Sequence, residues 1–231
     1  MTEIAYKPVT HCIFDMDGLL LDTETLYTEA FSQIVAPFGL KYTWEHKARI
    51  MGLRTTEVST AIIKMLDLPM TAAEFESQAK ALYLELFPRT KLLPGAERLL
   101  RHLKAHNIPI ALATSSSAES YKLKTANYIE LFDLFSHRVL GGSDPSVRRG
   151  KPCPDIFIAA ASRFSDQPDP SKCLVFEDAP NGVQAALGAE MQCVMVPDPN
   201  LPENSKGAAT LIINSLEEFK PELFGLPPFT D

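Results

Sequence analysis

The sequence predicts an α/β fold in which a doubly wound parallel sheet carries an inserted helical unit. Short apolar runs, typical of buried strands, alternate with helical patterns over most of the chain. One long interval, residues 23–89, breaks this alternation and contains amphipathic helical patterns alone. We therefore expect a sheet-based core formed by residues 1–22 and 90–231, with residues 23–89 forming a helical domain over the sheet.

The strands are predicted from apolar runs that helical patterns or turn signals separate. The predicted strands are Cys12–Phe14, Ile108–Ala113, His137–Leu140, Cys173–Phe176, Cys193–Val196 and Leu211–Ile213. Pro94, Pro154 and Pro180 each suit the first position of a helix that follows. Because parallel strands need long crossover connections, usually helices, this order favours a parallel sheet with helices on both faces.

The composition is that of an ordinary globular protein of 231 residues, 45% hydrophobic and 22% charged. The net charge of -7, with acids and bases interspersed, argues against a nucleic-acid polymer as partner. No apolar run is long enough for a membrane span, and the N-terminus lacks the apolar stretch of a signal peptide. The four cysteines form no CxxC motif, so we expect reduced thiols and a cytoplasmic location.

Polar side chains follow the predicted strands, either directly or in the next loop. In a parallel sheet the carboxyl ends of the strands lie along one edge, and ligands bind there near the topological switch point. We therefore expect residues that are far apart in the sequence to meet at this edge. These residues are Asp15, Asp17, Thr114, Ser115, Lys151, Glu177 and Asp178.

The acidic members of this set predict a bound cation. Four carboxylates would face one lysine, Lys151, and this excess of negative charge is unstable without a cation or a retained proton. Oxygen ligands without His or Cys favour a hard ion, and Mg²⁺ suits a few carboxylates together with a phosphate group. The sequence therefore predicts a Mg²⁺ site that binds a small phosphorylated metabolite.

The residue types also predict a reaction. A carboxylate such as Asp15 can attack phosphorus and form an aspartyl-phosphate. Asp17 lies near enough to protonate the leaving oxygen and later to deprotonate water. Thr114 and Ser115 can donate hydrogen bonds to phosphoryl oxygens, and Lys151 can bridge the phosphate and Asp15.

Some of these residues also have a purely structural interpretation. Asp17 and Gly18 suit a turn that closes a strand. Glu177 and Asp178 suit the N-terminus of the helix that follows, although capping and metal binding are compatible. In the helical unit, Arg54 of "MGLRTTEV" is predicted either to reach the substrate phosphate or to be a solvated charge.

Four segments resemble the signature motifs of the haloacid dehalogenase superfamily in order and spacing: "DMDGLLLDTE", "ATSS", "GKPCPD" and "VFEDAPNGV". The resemblance covers nearly the whole chain and implies a Rossmann-like core with a helical cap inserted after the first motif. It implies that Asp15 is the nucleophile and that Asp17 is the general acid and base. Thr114 and Lys151 take the roles of the second and third motifs.

The same resemblance implies how Mg²⁺ is bound. The ligands would be the Asp15 side chain, the Asp17 backbone carbonyl and Asp178, with Glu177 close by. The implied activity is that of a phosphomonoesterase that passes through an aspartyl-phosphate.

A narrower resemblance, to the eukaryotic pseudouridine-5'-phosphatases, rests on "THCIFDMDGLLLDTE", "ALATSSS", "CLVFEDAPNGV" and "PELFGLPP". It implies a nucleotide-like 5'-monophosphate, such as pseudouridine 5'-phosphate, as the substrate. Three alternatives stay open: a sugar-phosphate or glycerol-phosphate phosphatase, a β-phosphoglucomutase-like phosphomutase, and a catalytically silent protein that binds a phosphorylated metabolite. We expect a monomer with no membrane partner.

Overall fold

The computed structural model describes residues 6–50 and 55–229, with the side chains of Thr55 and Thr56 left out. Its centre is a sheet of six parallel strands in the order β3-β2-β1-β4-β5-β6. The strands are β1 (His11–Phe14), β2 (Ile110–Thr114), β3 (His137–Leu140), β4 (Cys173–Glu177), β5 (Gln192–Met195) and β6 (Leu211–Ile212). The sheet confirms the predicted α/β class.

Helices connect the strands and form the long interval between β1 and β2. They are α1 (Glu24–Val35), α2 (Trp44–Ile50), α3 (Thr55–Leu66), α4 (Ala72–Leu86), α5 (Ala96–Ala105), α6 (Ala118–Lys124), α7 (Ile129–Phe132), α8 (Asp155–Ser162) and α9 (Pro180–Gly188). All regular structure in the described part of residues 24–89 is helical. The division of the chain into two domains stays a prediction.

The strand order makes β1 the switch point of the sheet. β1 pairs with β2 on one side and with β4 on the other, so that Phe14 lies opposite both Leu112 and Phe176. The chain therefore winds in opposite directions from β1, and in sheets of this kind ligands bind beside the carboxyl end of the strand at the switch point.

Hydrophobic side chains cover both faces of the sheet, as expected for buried parallel strands. Phe14 belongs to the cluster on one face, which includes Leu99 of α5, whereas Ile13 belongs to the cluster on the other face, with Phe157 of α8 and Val183 of α9. Because successive residues of a strand point to opposite faces, a continuous apolar run supplies both clusters.

Two elements begin two residues later than predicted, for local reasons. Helix α5 begins at Ala96, two residues after Pro94, because Gly95 at its N-cap has a φ of +82° that no helical residue adopts. Strand β2 begins at Ile110, two residues later than predicted. Ile108 instead closes helix α5, since its N–H donates to the Leu103 carbonyl.

The helices between β1 and β2 pack around a hydrophobic cluster of their own. Phe31 of α1 is buried there against Tyr42 and Phe75, with ring centroids 5.4 and 5.5 Å away. We refer to residues 24–89 as the helical insertion. Its hydrophobic cluster is separate from the two that cover the sheet. The apolar residues of this part of the sequence therefore follow the spacing of helices and not that of strands.

The C-terminal segment folds back onto the sheet cluster. Residues Pro221–Phe224 form a 3-10 turn, and Phe224 and Leu226 are buried. No helix within the described residues has the length and apolar character of a membrane span.

Candidate active site

Asp15 occupies the position directly after β1. Its N–H donates to the Phe176 carbonyl at 3.0 Å, so the ladder between β1 and β4 continues one residue beyond the strand. The residue is only 5% exposed. Since a carboxylate is rarely buried without a partner, the surroundings of Asp15 must stabilise its charge.

Lys151 supplies that partner from the loop between β3 and α8, where the Lys151–Pro152 peptide bond is cis. Its Nζ lies 2.5 Å from Asp15 Oδ1 and 2.6 Å from Glu177 Oε1, and it also donates to the Ala113 carbonyl at 3.1 Å. Burial disfavours the ammonium, but the Asp15 and Glu177 carboxylates raise the pKa of Lys151 above its usual range. Lys151 is therefore a fixed cation between two carboxylates.

Asp15, Glu177 and Asp178 form a carboxylate cluster at the ends of β1 and β4. One oxygen of each side chain lies within 4.8 Å of the others. Burial raises the pKa of Asp15 to about 7, with the Glu177 charge acting in the same direction and Lys151 opposing it. Burial, followed by the Asp15 and Glu177 charges, raises the pKa of Asp178 well above its usual range. In fully ionised form the three carboxylates would carry more negative charge than Lys151 balances.

These three side chains fit a hard divalent cation. They offer only oxygen ligands, and a cation would offset the mutual repulsion of carboxylates held this close together. Gly18 lets the backbone after Asp17 approach the cluster closely, because a Cβ at this position would lie 2.3 Å from Asp178 Oδ2. The φ of +79° at Gly18 also excludes most other residues.

A second glycine makes room for the buried carboxylate of Glu177. A Cβ on Gly182, in the first turn of α9, would lie 1.9 Å from Glu177 Cδ. The Glu177 carboxylate also accepts the Asp178 N–H at 3.2 Å. Helix α9 can therefore approach the end of β4 only because position 182 has no side chain.

Asp17 lies beside the carboxylate cluster and is held by a different set of groups. Its Oδ2 accepts from Thr114 Oγ1 at 3.1 Å and from Ser116 Oγ at 2.9 Å, while its Oδ1 lies 2.5 Å from Lys124 Nζ. Burial disfavours the charge of Asp17, but the Lys124 ammonium lowers its pKa below the usual range. Asp17 is therefore a carboxylate of fixed orientation.

The structure brings six of the eight predicted site residues together at this edge of the sheet. They are Asp15, Asp17, Thr114, Lys151, Glu177 and Asp178. The side chain of Ser115 is exposed, and the hydroxyl next to Asp17 is that of Ser116. Arg54 lies outside the described residues.

Besides Ser116, Lys124 and Gly182 lie at the site without having been predicted from the sequence. Lys124 is the last residue of α6, where it follows Lys122 in an unremarkable polar helix, so no local pattern marks it as buried. Gly182 had a detectable signal, because a glycine inside a helical pattern often marks a close approach.

A family model described as haloacid dehalogenase-like hydrolase matches residues 9–190. The chain belongs to the haloacid dehalogenase-like hydrolases. The matched range includes all the residues that converge at the end of β1, from Asp15 to Asp178.

Individual relatives of this hydrolase cover nearly its full length. It is 53% identical over 231 residues to a probable pseudouridine-5'-phosphatase of Drosophila melanogaster, with 100% of both chains covered. It is 49% identical over 226 residues to (DL)-glycerol-3-phosphatase 2 of Arabidopsis thaliana, with 96% of this chain and 94% of the relative covered. A crystal structure of a putative β-phosphoglucomutase from Thermotoga maritima superposes with a TM-score of 0.70 at 28% identity, with 94% and 97% of the chains covered.

Proposed function

We propose that this hydrolase is a Mg²⁺-dependent phosphomonoesterase that forms an aspartyl-phosphate on Asp15. The observation that carries the proposal is the convergence of Asp15, Glu177, Asp178 and Lys151 at the switch point of the sheet. A nucleophilic carboxylate, a fixed cation and an oxygen-only cation site are the groups that phosphoryl transfer requires. The two relatives that are named as phosphatases support the same reaction class.

In the first transfer, a carboxylate oxygen of Asp15 bonds to phosphorus while the bond from phosphorus to the ester oxygen breaks. Asp17 gives its proton to the leaving oxygen, which departs as an alcohol. Lys151, at 2.5 Å from Asp15 Oδ1, orients the nucleophile and attracts the phosphoryl group. A bound phosphate is negatively charged and therefore counteracts the effect of the Lys124 ammonium on Asp17. It favours the protonated form of Asp17 that this step needs.

In the second transfer, the oxygen of a water molecule bonds to phosphorus and Asp17 accepts the proton of that water. The bond between phosphorus and the Asp15 oxygen breaks, which releases inorganic phosphate and restores the Asp15 carboxylate. We propose that the Thr114 hydroxyl, which donates to Asp17 Oδ2 in this structure, turns to donate to a phosphoryl oxygen when substrate binds, together with N–H groups of the loop after Asp15.

The proposed Mg²⁺ ligands are the side chains of Asp15 and Asp178 and the backbone carbonyl of Asp17, with Glu177 beside them. When bound, Mg²⁺ offsets the negative charge of the carboxylates and of the phosphoryl group. The carboxylate cluster and the close approach of the Gly18 backbone to Asp178 support this assignment.

We also propose that the helical insertion acts as a cap that excludes bulk water during the first transfer. Support comes from its hydrophobic cluster, which is separate from those of the sheet, and from its position between β1 and β2. The proposed role of Arg54 in binding the substrate phosphate belongs to this cap. The enzyme would work as a cytoplasmic monomer, and the four free cysteines support a reducing compartment.

The mechanism is tested by replacing the nucleophile. Asp15→Asn should abolish phosphate release and leave the circular dichroism spectrum unchanged, because an amide cannot form the phosphoenzyme. Asp133→Asn, which alters an exposed carboxylate paired with Arg138, is the matched control and should retain activity. Normal hydrolysis by Asp15→Asn would exclude this mechanism.

The substrate is tested with a panel of phosphate esters in Mg²⁺ and in EDTA. The panel contains pseudouridine 5'-phosphate, uridine 5'-phosphate, hexose 6-phosphates and glycerol 3-phosphate. We propose a nucleotide-like 5'-monophosphate as the substrate, so kcat/KM should be highest for pseudouridine 5'-phosphate. The 49% identity to a glycerol-3-phosphatase favours glycerol phosphate as the second candidate. An isomerised sugar phosphate without free phosphate would instead indicate a mutase, and no reaction with any ester would indicate a binding protein.

A further inference from the structure

Lys124 is a buried cation for which the proposed reaction has no direct use. Its side chain is 0% exposed, although it is the last residue of the short helix α6. A buried ammonium is costly unless hydrogen bonds and an opposite charge compensate for it. A lysine in this position therefore needs a reason beyond packing.

The ammonium of Lys124 uses all three of its protons. Nζ lies 2.5 Å from Asp17 Oδ1, and it donates to Ser116 Oγ at 2.8 Å and to Tyr27 Oη at 2.9 Å. It also lies 4.9 Å from the ring centroid of Tyr27 and 4.8 Å from that of Phe87. Two aromatic faces therefore complete the environment of the cation.

The same contacts hold both oxygens of the Asp17 carboxylate. Oδ1 is held by Lys124, and Oδ2 is held by Ser116, whose hydroxyl in turn accepts from Lys124. Rotation of the Asp17 side chain would break these interactions together and leave the Lys124 charge buried without its partner. The orientation of Asp17 is thus coupled to the position of Lys124.

The contacts of Lys124 also reach both ends of the helical insertion. Tyr27 lies near the start of α1, and Phe87 follows the end of α4. The ammonium consequently links Asp17 to both ends of the insertion.

We propose that Lys124 is a positioning residue that holds the Asp17 carboxylate in the orientation in which it exchanges protons with the substrate and with water. The inference rests on the proposed function, since it assigns a support to the proton-transfer group of that reaction. Proton transfer depends steeply on position, and a displacement of about 1 Å can lower the rate about 10²-fold.

The test is a double-mutant cycle on turnover of p-nitrophenyl phosphate in Mg²⁺. We compare the unmodified enzyme with Lys124→Met, Asp17→Asn and the double variant. Lys124→Met should lower kcat by about 10²-fold with little change in KM, because Lys124 acts through Asp17 and not on the substrate. In the Asp17→Asn background Lys124 has no carboxylate to position, so Lys124→Met should lower kcat by less than about twofold. A change this small is typical of sites that do not interact. Lys122→Met, an exposed lysine of the same helix, should leave kcat unchanged.

The outcomes separate this inference from the proposed function. If the losses from Lys124→Met and Asp17→Asn multiply, Lys124 does not act through Asp17 and the inference is wrong, while the proposed function stands. If the unmodified enzyme releases no phosphate, both are wrong. If Lys124→Met does not fold by circular dichroism, Ser116→Ala replaces it in the cycle, since it removes the hydroxyl that joins Lys124 to Asp17 Oδ2. If the losses of kcat from Ser116→Ala and Asp17→Asn multiply in that cycle, the inference is also wrong.

Discussion

The Lys47 ammonium of helix α2 lies 3.1 Å from Asp198 Oδ2, in the loop that follows β5. Lys47 also lies 3.1 Å from Glu24 Oε2 at the start of α1. Lys47 and Asp198 are 151 positions apart in the sequence, and their ion pair joins the helical insertion to the sheet. The Lys47 side chain is 12% exposed, and the Glu24 and Asp198 charges raise its pKa against the effect of burial. The ion pair is therefore a polar connection between the two parts of the fold.

Breaking this connection should increase the solvent access of Trp44, the single tryptophan, whose ring centroid lies 5.3 Å from Lys47 Nζ. Asp198→Asn removes the charge on the sheet side, so acrylamide should quench Trp44 fluorescence more strongly. In the unmodified protein, about 1 M salt should produce a similar increase, because it shortens the Debye length to about 3 Å. The control is Asp144→Asn, which breaks an ion pair with Arg163 elsewhere. Equal quenching in Asp198→Asn and the unmodified protein would contradict the prediction.

Gly182→Ala should destabilise the protein and impair activity. The new Cβ would meet Glu177 Cδ at 1.9 Å, and overpacking of this kind costs about 1–3 kcal/mol. Gly188→Ala is the matched control in the same helix, since its nearest contact would be Pro154 Cβ at an ordinary 3.7 Å. Urea unfolding should show a loss for Gly182→Ala and a gain of up to about 1 kcal/mol for Gly188→Ala. Similar free energies for the two variants would refute this account of the Glu177 pocket.

Mg²⁺ should stabilise the folded protein through the carboxylate cluster. At about 100 times its Kd, a ligand of the native state raises the free energy of unfolding by about 2.7 kcal/mol. Asp178→Asn should lose most of this gain, because it removes one of the three clustered carboxylates. Asp198→Asn, which alters a carboxylate outside the cluster, should keep it. Thermal unfolding with and without Mg²⁺ measures both variants, and an equal gain in Asp178→Asn would rule out the proposed ligand.

Asp144 should contribute to stability in a pH-dependent way. Arg163 donates to Asp144 Oδ2 at 2.6 Å and to Oδ1 at 3.0 Å, and these hydrogen bonds lower the pKa of Asp144 below its usual range. The Asp144 carboxyl binds a proton more readily in the unfolded chain than in the native protein. Its contribution to the free energy of unfolding is therefore complete above the unfolded pKa of about 4. This contribution declines as pH falls through the lower native pKa.

Urea unfolding of Asp144→Asn and the unmodified protein measures this contribution. We expect a difference of about 1 kcal/mol at pH 7, as for a well-aligned surface pair, and a shrinking difference below about pH 4. Arg163→Gln, which removes the other partner, should show the same trend. A difference that stays constant down to pH 3 would show that the carboxylate charge is not responsible.

The sheet and most of the candidate site could be predicted because they depend on local patterns. A strand buried on both faces needs a continuous apolar run, as from Cys12 to Phe14, and a polar residue directly after it must lie at the sheet edge. Parallel strands end at one edge, so Asp15 and Glu177 were expected at that edge, whereas the pairing of β1 with β4 comes from the structure. This is why the sequence predicted their meeting although they are far apart along the chain.

The missing parts of the site depend on contacts that have no local signature. Lys124 and Lys122 occupy the same polar helix, and only the packing of α6 against Tyr27 and Phe87 makes one of them buried. Which of the neighbouring hydroxyls, Ser115 or Ser116, contacts Asp17 depends on the path of the chain after β2. A hydrophobic pattern does not encode that path.

The sequence by itself determined the parallel α/β sheet, the position of the helical insertion and the acidic edge near Asp15, because periodicity and strand ends are local properties. Only the tertiary structure decided which cations meet those acids. Long, flexible lysine side chains such as those of Lys47 and Lys124 are placed by the packing of whole elements, and their partners are distant in sequence.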